Sequence, residues 1–229
     1  MTNSYSKTIL EEMSISPQFA EWSIDLVSEG LSKNIIEIGC GIGRNLVLLK
    51  RIAKKIWGTD YNEKYLEQIA LEDPSMENFL FHWDLSKKPE FYVDANSFFC
   101  SNVIEHVDDD KLALLNIRKL RKLEKGAFIV PAGKKNYNQL DISLSHFRRY
   151  DLIEFANLLE STGYKVLKIF TFNKIGVLGW YVQGGLFKKK TLGEANMKLY
   201  NFLFPVIKSV DSKIPFNGLS IGAVVKIER

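Results

Sequence analysis

Apolar positions along the chain follow two periods, one typical of buried strands and one typical of amphipathic helices. Short apolar runs predict strands at Ile35 to Ile38, Lys55 to Asp60, Phe79 to Asp84, Asn96 to Ser101, Ala127 to Val130, Tyr164 to Phe170 and Leu219 to Ile227. Longer segments with helical periodicity lie between them, over 44–53, 62–72, Asp109 to Leu123 and 151–162. Strands that alternate with helices in this way are typical of an α/β protein with a parallel, doubly wound sheet.

Two segments lie outside this alternation. The pair Ser16-Pro17 has the composition of an N-cap followed by proline at the first helical position, so residues 1–30 are expected to form an N-terminal helical cap. Segment 172–218 interrupts the rhythm before the last strand, and we expect it to be a helical insertion or cover. Because no repeat or low-complexity linker occurs, the 229 residues are expected to form a single domain, 1–229.

Composition and charge narrow the class of protein. The chain is 46% hydrophobic and 25% charged, as in an ordinary globular domain. A net charge of +4 is too small to indicate nucleic-acid binding. The two cysteines, Cys40 and Cys100, provide neither a disulfide framework nor a metal cage, and the N-terminal residues lack a signal-peptide pattern. We therefore expect a cytoplasmic location.

The first predicted strand ends in a glycine-rich turn. Glu37 lies within the strand, and Gly39, Gly41 and Gly43 follow at alternate positions. Glycines permit positive φ and let a ligand approach the backbone closely. The helix that begins near Arg44 directs free N–H groups at the same place. The pattern predicts a ligand-binding loop at the carboxyl edge of the sheet.

A dinucleotide-binding loop is the main alternative for this turn. That fingerprint requires Gly-x-Gly-x-x-Gly, in which the third glycine permits close packing of helix and strand. The third position is Arg44 when counted from Gly39 and Leu46 when counted from Gly41. The acid Glu37 also suits a ligand with a free ammonium better than a pyrophosphate, so a nicotinamide oxidoreductase is disfavoured.

The motif Glu-x-Gly-x-Gly-x-Gly resembles the cofactor loop of class I S-adenosylmethionine-dependent methyltransferases, and the resemblance extends over residues 30–170. It implies a Rossmann-like seven-stranded sheet with an antiparallel last strand, and S-adenosylmethionine as the cofactor. The cofactor-binding residues that it implies lie at successive strand ends. They are Glu37, Gly39, Cys40, Gly41, Gly43, Asp60, Tyr61, Asp84, Leu85, Ser101 and Asn102.

Two strand-end acids have specific expected roles. Asp60 closes the second strand, where its carboxylate could accept two hydrogen bonds from a ribose diol; capping of the helix near Asn62 is the alternative. The resemblance implies that Asp84 accepts the adenine amino group while Leu85 or Trp83 packs on the ring. A simple Asp turn at the strand end is the alternative for Asp84.

The sequence after the fourth strand, Glu105-His106-Val107, is similar to a motif of many small-molecule methyltransferases. The resemblance implies that His106 lies near the transferred methyl group. A hydroxyl acceptor benefits from a base, and imidazole titrates near neutral pH, so His106 is the candidate base. A structural histidine that bridges after the strand is the alternative, and Glu105 is expected to be structural.

A second cluster, His146-Phe147-Arg148-Arg149-Tyr150, resembles a His-x-Arg-Arg-Tyr motif of bacterial methyltransferases linked to surface glycans or secondary metabolites. It makes His146 a second catalytic candidate and Arg148, Arg149 and Tyr150 candidates for substrate binding. Guanidinium groups can bind a phosphate or carboxylate through paired hydrogen bonds. They could equally tie down the loop through backbone carbonyls and acids such as Asp141.

Together these features predict methyl transfer to a small-molecule or glycan-type acceptor, preferably at oxygen, with nitrogen as the alternative. No metal is expected, because Asp108 to Asp110 are more typical of a helix start. RNA and protein methyltransferases, and a non-catalytic cofactor-binding partner, are further alternatives. The apolar stretch 175–207 with Lys188 to Lys190 predicts either a cover over the site or peripheral membrane contact. The sequence does not predict the oligomeric state.

Overall fold

A seven-stranded sheet forms the centre of the computed structural model, which describes residues 17–228. The strands are β1 Asn34–Ile38, β2 Lys55–Asp60, β3 Leu80–His82, β4 Ser97–Ser101, β5 Lys125–Pro131, β6 Tyr164–Phe172 and β7 Ser220–Ile227. Their order is β3-β2-β1-β4-β5-β7-β6, and β7 runs antiparallel to both of its neighbours. The predicted Rossmann-like sheet with an antiparallel last strand is confirmed.

Eight α-helices lie before and between the strands within the described residues. They are α1 Pro17–Val27, α2 Arg44–Leu49, α3 Glu63–Glu72, α4 Asp110–Ile117, α5 Gln139–Leu144, α6 Leu152–Ser161, α7 Lys174–Trp180 and α8 Glu194–Asp211. A π-helical turn, Tyr181–Leu186, continues α7. Ser16, the predicted cap of the first helix, lies outside the described residues.

Two helices end earlier than the apolar pattern predicts. Helix α2 ends at Leu49 rather than at residue 53, and α4 ends at Ile117 rather than at Leu123. In both places hydrogen bonds that span three residues follow, from Ile52 N to Leu49 O and from Leu120 N to Ile117 O. These tighter turns direct the chain back into the next strand while the apolar side chains stay buried.

The strands bury side chains on both faces of the sheet. Ile36 and Ile38 belong to one core cluster, whereas Ile35 belongs to the other, and Phe98 and Phe99 divide in the same way. Neighbouring residues of a strand point to opposite faces, so a continuous apolar run fits a sheet covered on both sides. This double burial places the polar functional residues at the sheet edge.

The segment between β6 and β7 is helical, as the sequence predicts. It contains α7, the π-helical turn and α8. Helix α8 packs on α1, where the Trp22 ring makes edge contacts with Phe204 at 5.6 Å and with Phe172 at 5.2 Å between ring centroids. None of the described helices combines the length and the apolar character needed to cross a membrane.

Candidate active site

The three loop glycines all adopt left-handed backbone conformations, with φ of +70° at Gly39, +53° at Gly41 and +80° at Gly43. A Cβ atom on Gly39 would lie 2.3 Å from the Val103 side chain, and one on Gly43 would lie 2.8 Å from Ile69. A Cβ atom on Gly41 would meet no atom within 4 Å. The outer glycines therefore permit close packing, and the middle glycine borders open space in which a ligand could lie against the backbone.

Glu37 lies beneath this loop with one carboxylate oxygen available. The residue is 1% exposed, and its Oε1 atom accepts a hydrogen bond from the Asn45 side chain at 3.0 Å. Its Oε2 atom is buried without a protein partner. Burial raises the pKa of Glu37 to about 8, against the opposing effect of the Asn45 hydrogen bond, and the charge of Asp60 adds to the rise. A buried carboxyl group with a free oxygen fits the ammonium of S-adenosylmethionine.

Asp60 connects the glycine loop to the end of β2. Its Oδ2 atom accepts a hydrogen bond from Gly41 N at 2.8 Å, and its Oδ1 atom accepts one from Asn62 N at 2.9 Å. Burial raises the pKa of Asp60 while these backbone hydrogen bonds oppose the rise. The cap of α3 is the Asn62 side chain, which accepts from Lys64 N at 3.2 Å, so the helix-capping alternative for Asp60 is wrong. Each Asp60 oxygen keeps a lone pair that a ribose hydroxyl could use.

The other predicted cofactor residues occupy the same edge with different exposure. Tyr61 follows β2 and is 55% exposed. Asp84 forms a strand-end turn in which Ser86 N donates to its Oδ1 atom at 2.9 Å, and this hydrogen bond lowers the pKa of Asp84. Leu85 and Trp83 are both buried in the core. The structure thus shows the Asp turn, and the adenine contact stays a prediction.

The end of β4 supplies a further strained position. Asn102 has a left-handed backbone with φ of +54°, and its N–H donates to Ile129 O at 2.8 Å. Its side-chain amide donates to Ser101 Oγ at 3.3 Å. Cys40, within the glycine loop, is buried, and burial raises the pKa of its thiol. Cys40 N donates to Thr59 O at 2.8 Å, which connects the loop to β2 a second time.

A buried polar cluster lies on the loop that follows β5, with Asp141 at its centre. Asp141 is fully buried in α5, and its Oδ1 atom lies 2.8 Å from His146 Nδ1 and accepts from Arg149 Nε at 2.7 Å. Its Oδ2 atom accepts from Asn138 N at 3.0 Å and from Trp180 Nε1 at 3.3 Å. Burial alone would raise the pKa of Asp141, but the hydrogen bond from His146 and the charge of Arg149 hold it below its usual value.

His146 is oriented by this carboxylate. Because an ionised carboxylate only accepts hydrogen bonds, we assign the proton to His146 Nδ1, which leaves Nε2 directed elsewhere. The Nε2 atom lies 3.9 Å from Glu105 Oε1. Burial lowers the pKa of His146, although Asp141 opposes the change, so the imidazole is neutral at neutral pH. His146 therefore lies inside the protein and supports its neighbours.

Glu105 is the least satisfied side chain of this region. It is 0% exposed, and neither of its carboxylate oxygens has a hydrogen-bond partner within the described part of the chain. Burial raises its pKa to about 8, the charge of Arg149 opposes this, and that of Asp141 adds to it. Glu105 therefore carries a proton at neutral pH.

His106 is the exposed member of the group. It ends a 3₁₀ turn, Ile104–His106, after β4, and its ring packs edge-on against His146 with 4.7 Å between centroids. Desolvation and the neighbouring His146 lower the pKa of His106, while a backbone hydrogen bond with Ser145 opposes the change. His106 is therefore neutral at neutral pH and accessible from outside.

One carboxylate and two imidazoles also form a set that could hold a divalent cation. Ligand atoms of Glu105, His106 and His146 all lie within 4.8 Å of one another. Carboxylate oxygen and imidazole nitrogen are common ligands of transition metals. The prediction that the site holds no metal stays a prediction.

The predicted substrate-binding residues divide into two groups. Arg149 is 2% exposed, and its guanidinium lies 4.6 Å from the centre of the Trp180 ring. Tyr150 is also 2% exposed, and its hydroxyl donates to Asp110 Oδ2 at 2.9 Å. Both side chains hold the loop in place, which favours the loop-fixing alternative over substrate contact for these two residues. Only Arg148 is partly exposed, and it pairs with Asp110 at 2.8 Å.

The sequence analysis does not identify two long-range contacts near the site, those of Asp110 and Trp180. Asp110 does more than begin helix α4. Its Oδ2 atom accepts a hydrogen bond from the hydroxyl of Tyr150, which lies 40 residues further along the chain, and it also pairs with Arg148. Trp180 reaches Asp141 across 39 residues. Such contacts follow from the fold, and no local spacing in the sequence indicates them. The helix start itself is as predicted, because the Asp109 side chain accepts from Leu112 N at 2.8 Å.

Comparison with known proteins gives a consistent result. A family model described as a methyltransferase domain matches residues 36–130. No curated protein matches the sequence. The methyltransferase domain of a bacterial Hen1 is similar in structure, with 17% identity, coverage of 93% of this chain and 98% of that chain, and a TM-score of 0.61.

Two further solved structures share the fold. An S-adenosylmethionine-dependent methyltransferase from Thermotoga maritima has 14% identity, covers 97% of this chain and 94% of its own, and has a TM-score of 0.63. Another from Mesorhizobium loti has 12% identity, 90% and 97% coverage, and a TM-score of 0.61. The domain match over residues 36–130, the strand order and the glycine loop agree, and together they support an S-adenosylmethionine-dependent methyltransferase with S-adenosylmethionine as the methyl donor.

Proposed function

We propose that the enzyme transfers the methyl group of S-adenosylmethionine to an oxygen of a small-molecule or glycan-type acceptor, with His106 as the base. One observation carries this proposal. His106 is an exposed imidazole in the turn that follows β4, supported from inside by the edge-on ring of His146, which Asp141 orients. An exposed base on a fixed support suits removal of a proton from a bound hydroxyl.

The chemistry of the methyl donor determines what the protein has to contribute to the reaction. The sulfonium of S-adenosylmethionine is already a strong electrophile, so the protein mainly has to align the acceptor with the methyl group. A hydroxyl acceptor additionally has to lose its proton, and a neutral His106 can take it. His146 acts through His106, since it is buried and fixes the position of that ring. Arg148, partly exposed beside the same loop, is the remaining candidate for contact with an anionic group of the acceptor.

An RNA acceptor is the main alternative. A small RNA methyltransferase shares the fold at 16% identity and a TM-score of 0.60, although this chain covers only 25% of it. RNA binding requires a basic face. The chain as a whole has a net charge of +4, and residues 174–213 hold seven lysines and only two acids. The remainder, which includes the glycine loop, therefore has no positive excess, and this favours a small or glycan-type acceptor.

The first experiment measures cofactor binding and methyl transfer separately. Calorimetric titration with S-adenosylhomocysteine tests the cofactor half, with Asp60→Ala as a variant expected to lose binding. Transfer of radiolabelled methyl groups is then measured with hydroxylated small molecules, glycans, small RNA and protein. His106→Ala should lower kcat by about 10²–10⁴-fold while the Kd for S-adenosylhomocysteine stays unchanged.

Other results would point elsewhere. Unchanged turnover in His106→Ala would refute the assignment of the base. Labelling of RNA alone would favour the alternative acceptor. A chain that binds S-adenosylhomocysteine but methylates nothing, and keeps its biological effect when His106 and His146 are both replaced by alanine, would be a cofactor-binding partner without activity.

A further inference from the structure

Helix α8 presents apolar side chains on two faces. Phe204 and Ile207 are buried and belong to the face that packs on the protein. The other face exposes large apolar residues at i, i+3, i+4 and i+7, with exposed fractions of 57%, 80%, 42% and 61%. They are Leu199, Phe202, Leu203 and Val206. This spacing forms a continuous apolar stripe along the outside of the helix.

The apolar surface continues into the helix that precedes α8. Helix α7 contacts α8, and with the π-helical turn it exposes further large apolar side chains. They are Leu178, Tyr181, Val182, Leu186 and Phe187. We call the exposed apolar residues of α7, the π-helical turn and α8 the docking face. An apolar surface of this extent is unusual on a protein that has no partner there.

The charge of this segment is as distinctive as its apolar surface. Residues 174–213 contain seven lysines, no arginine and two acids, against a net charge of +4 for the whole chain. One of the acids, Asp211, is buried, and the other, Glu194, pairs with Lys198. Lys188 to Lys190 are exposed and follow directly after Phe187. Lys208 pairs with Asp25 of α1 at 3.5 Å, so Lys188 to Lys190 form the exposed basic cluster of the segment that carries the docking face.

We propose that the docking face binds the surface of a membrane rich in anionic lipids. The apolar side chains would enter the boundary between headgroups and acyl chains, and the lysines would contact lipid phosphates. A spanning helix is not required for this mode of binding. A second copy of the chain fits less well, because two faces with the same positive excess repel each other. The proposal does not depend on the acceptor proposed above.

Sedimentation with vesicles tests the proposal. The probes are vesicles of phosphatidylcholine alone and vesicles of phosphatidylcholine with phosphatidylglycerol. The natural chain should bind the anionic vesicles and should bind neutral ones much more weakly. Phe202→Ser combined with Val206→Ser should weaken binding by about tenfold or more, because each substitution removes an apolar side chain from the lipid boundary.

A matched control distinguishes the docking face from apolar surface in general. Leu71→Ser changes a residue of α3 that is 83% exposed, similar to the 80% of Phe202, and should leave vesicle binding unchanged. Replacement of Lys188, Lys189 and Lys190 by glutamine should reduce the preference for anionic vesicles. Unchanged S-adenosylhomocysteine binding in each variant shows that the chain is folded.

Three outcomes would overturn the proposal. The first is an absence of vesicle binding by the natural chain. The second is equal loss of binding in Leu71→Ser and in the docking-face variant. The third is a dimer, measured by analytical ultracentrifugation, that Phe202→Ser dissociates while vesicles bind neither form, which would make the face an interface between copies of this chain.

Discussion

The unpartnered carboxyl group of Glu105 makes the stability of the protein depend on pH in a way that one substitution should remove. Glu105→Gln keeps the shape of the side chain but cannot ionise. In the natural chain the folded state holds a proton on Glu105 up to about pH 8, whereas the unfolded chain releases it near pH 4.5. A group whose pKa is raised on folding stabilises the protein below its unfolded pKa, and that contribution is lost as the pH rises through the folded pKa.

The size of the effect follows from the two pKa values. Between pH 4.5 and about 8, each pH unit removes about 1.4 kcal/mol from the free energy of unfolding. Over the whole interval the contribution of Glu105 amounts to roughly 5 kcal/mol at most, since relaxation around a buried charge reduces the penalty. Glu37 titrates in the same range, but it is present in both proteins, so the difference between them isolates Glu105.

The assay is urea denaturation of both proteins at several pH values from 5 to 8. We expect the free energy of unfolding of Glu105→Gln, measured relative to the natural chain, to increase steadily with pH. A difference that stays constant with pH would show that the Glu105 pKa is ordinary. A difference that decreases as the pH rises would show that an ionised Glu105 is stabilised by Arg149 or His146, and the reasoning from desolvation would be refuted.

Three further predictions concern the loop, the cluster and the metal. Gly41→Ala should weaken S-adenosylhomocysteine binding at least about tenfold and lower Tm only through its left-handed backbone, since its Cβ enters open space. Gly39→Ala should lower Tm further, since its Cβ also meets Val103, and calorimetry with thermal scans separates the two. Asp141→Asn should lower the free energy of unfolding by about 3–5 kcal/mol in urea titrations, because a buried ion pair loses one partner. Methyl transfer should persist in EDTA; a loss that Mn²⁺ reverses would place a cation between Glu105 and the two histidines.

The cofactor-binding loop could be predicted from the sequence because neighbouring residues in the chain determine its conformation. Gly39, Gly41 and Gly43 adopt the left-handed backbone that only glycine adopts readily, so the spacing itself encodes the turn. Asp60 lies at a strand end, and the parallel sheet brings strand ends to one edge. Residue pattern and geometry therefore indicate the same place.

The roles of the residues proposed to contact the acceptor were harder to predict, because they depend on contacts with distant parts of the chain. Arg149 and Tyr150 are polar and lie on a loop, which favoured substrate contact at the sequence level. The structure buries both, because Asp141 and Asp110 offer them partners inside the protein. Whether a polar loop residue faces a substrate or a buried acid depends on elements far along the chain.

Trp180 connects the segment between β6 and β7 to the buried cluster that supports His106. Its indole N–H donates to Asp141 Oδ2, and its ring covers the Arg149 guanidinium at 4.6 Å. The same Asp141 carboxylate orients His146, which packs against His106. Helix α7 thus carries Trp180 into the support of the proposed base and, one residue later, exposes Tyr181 on the docking face.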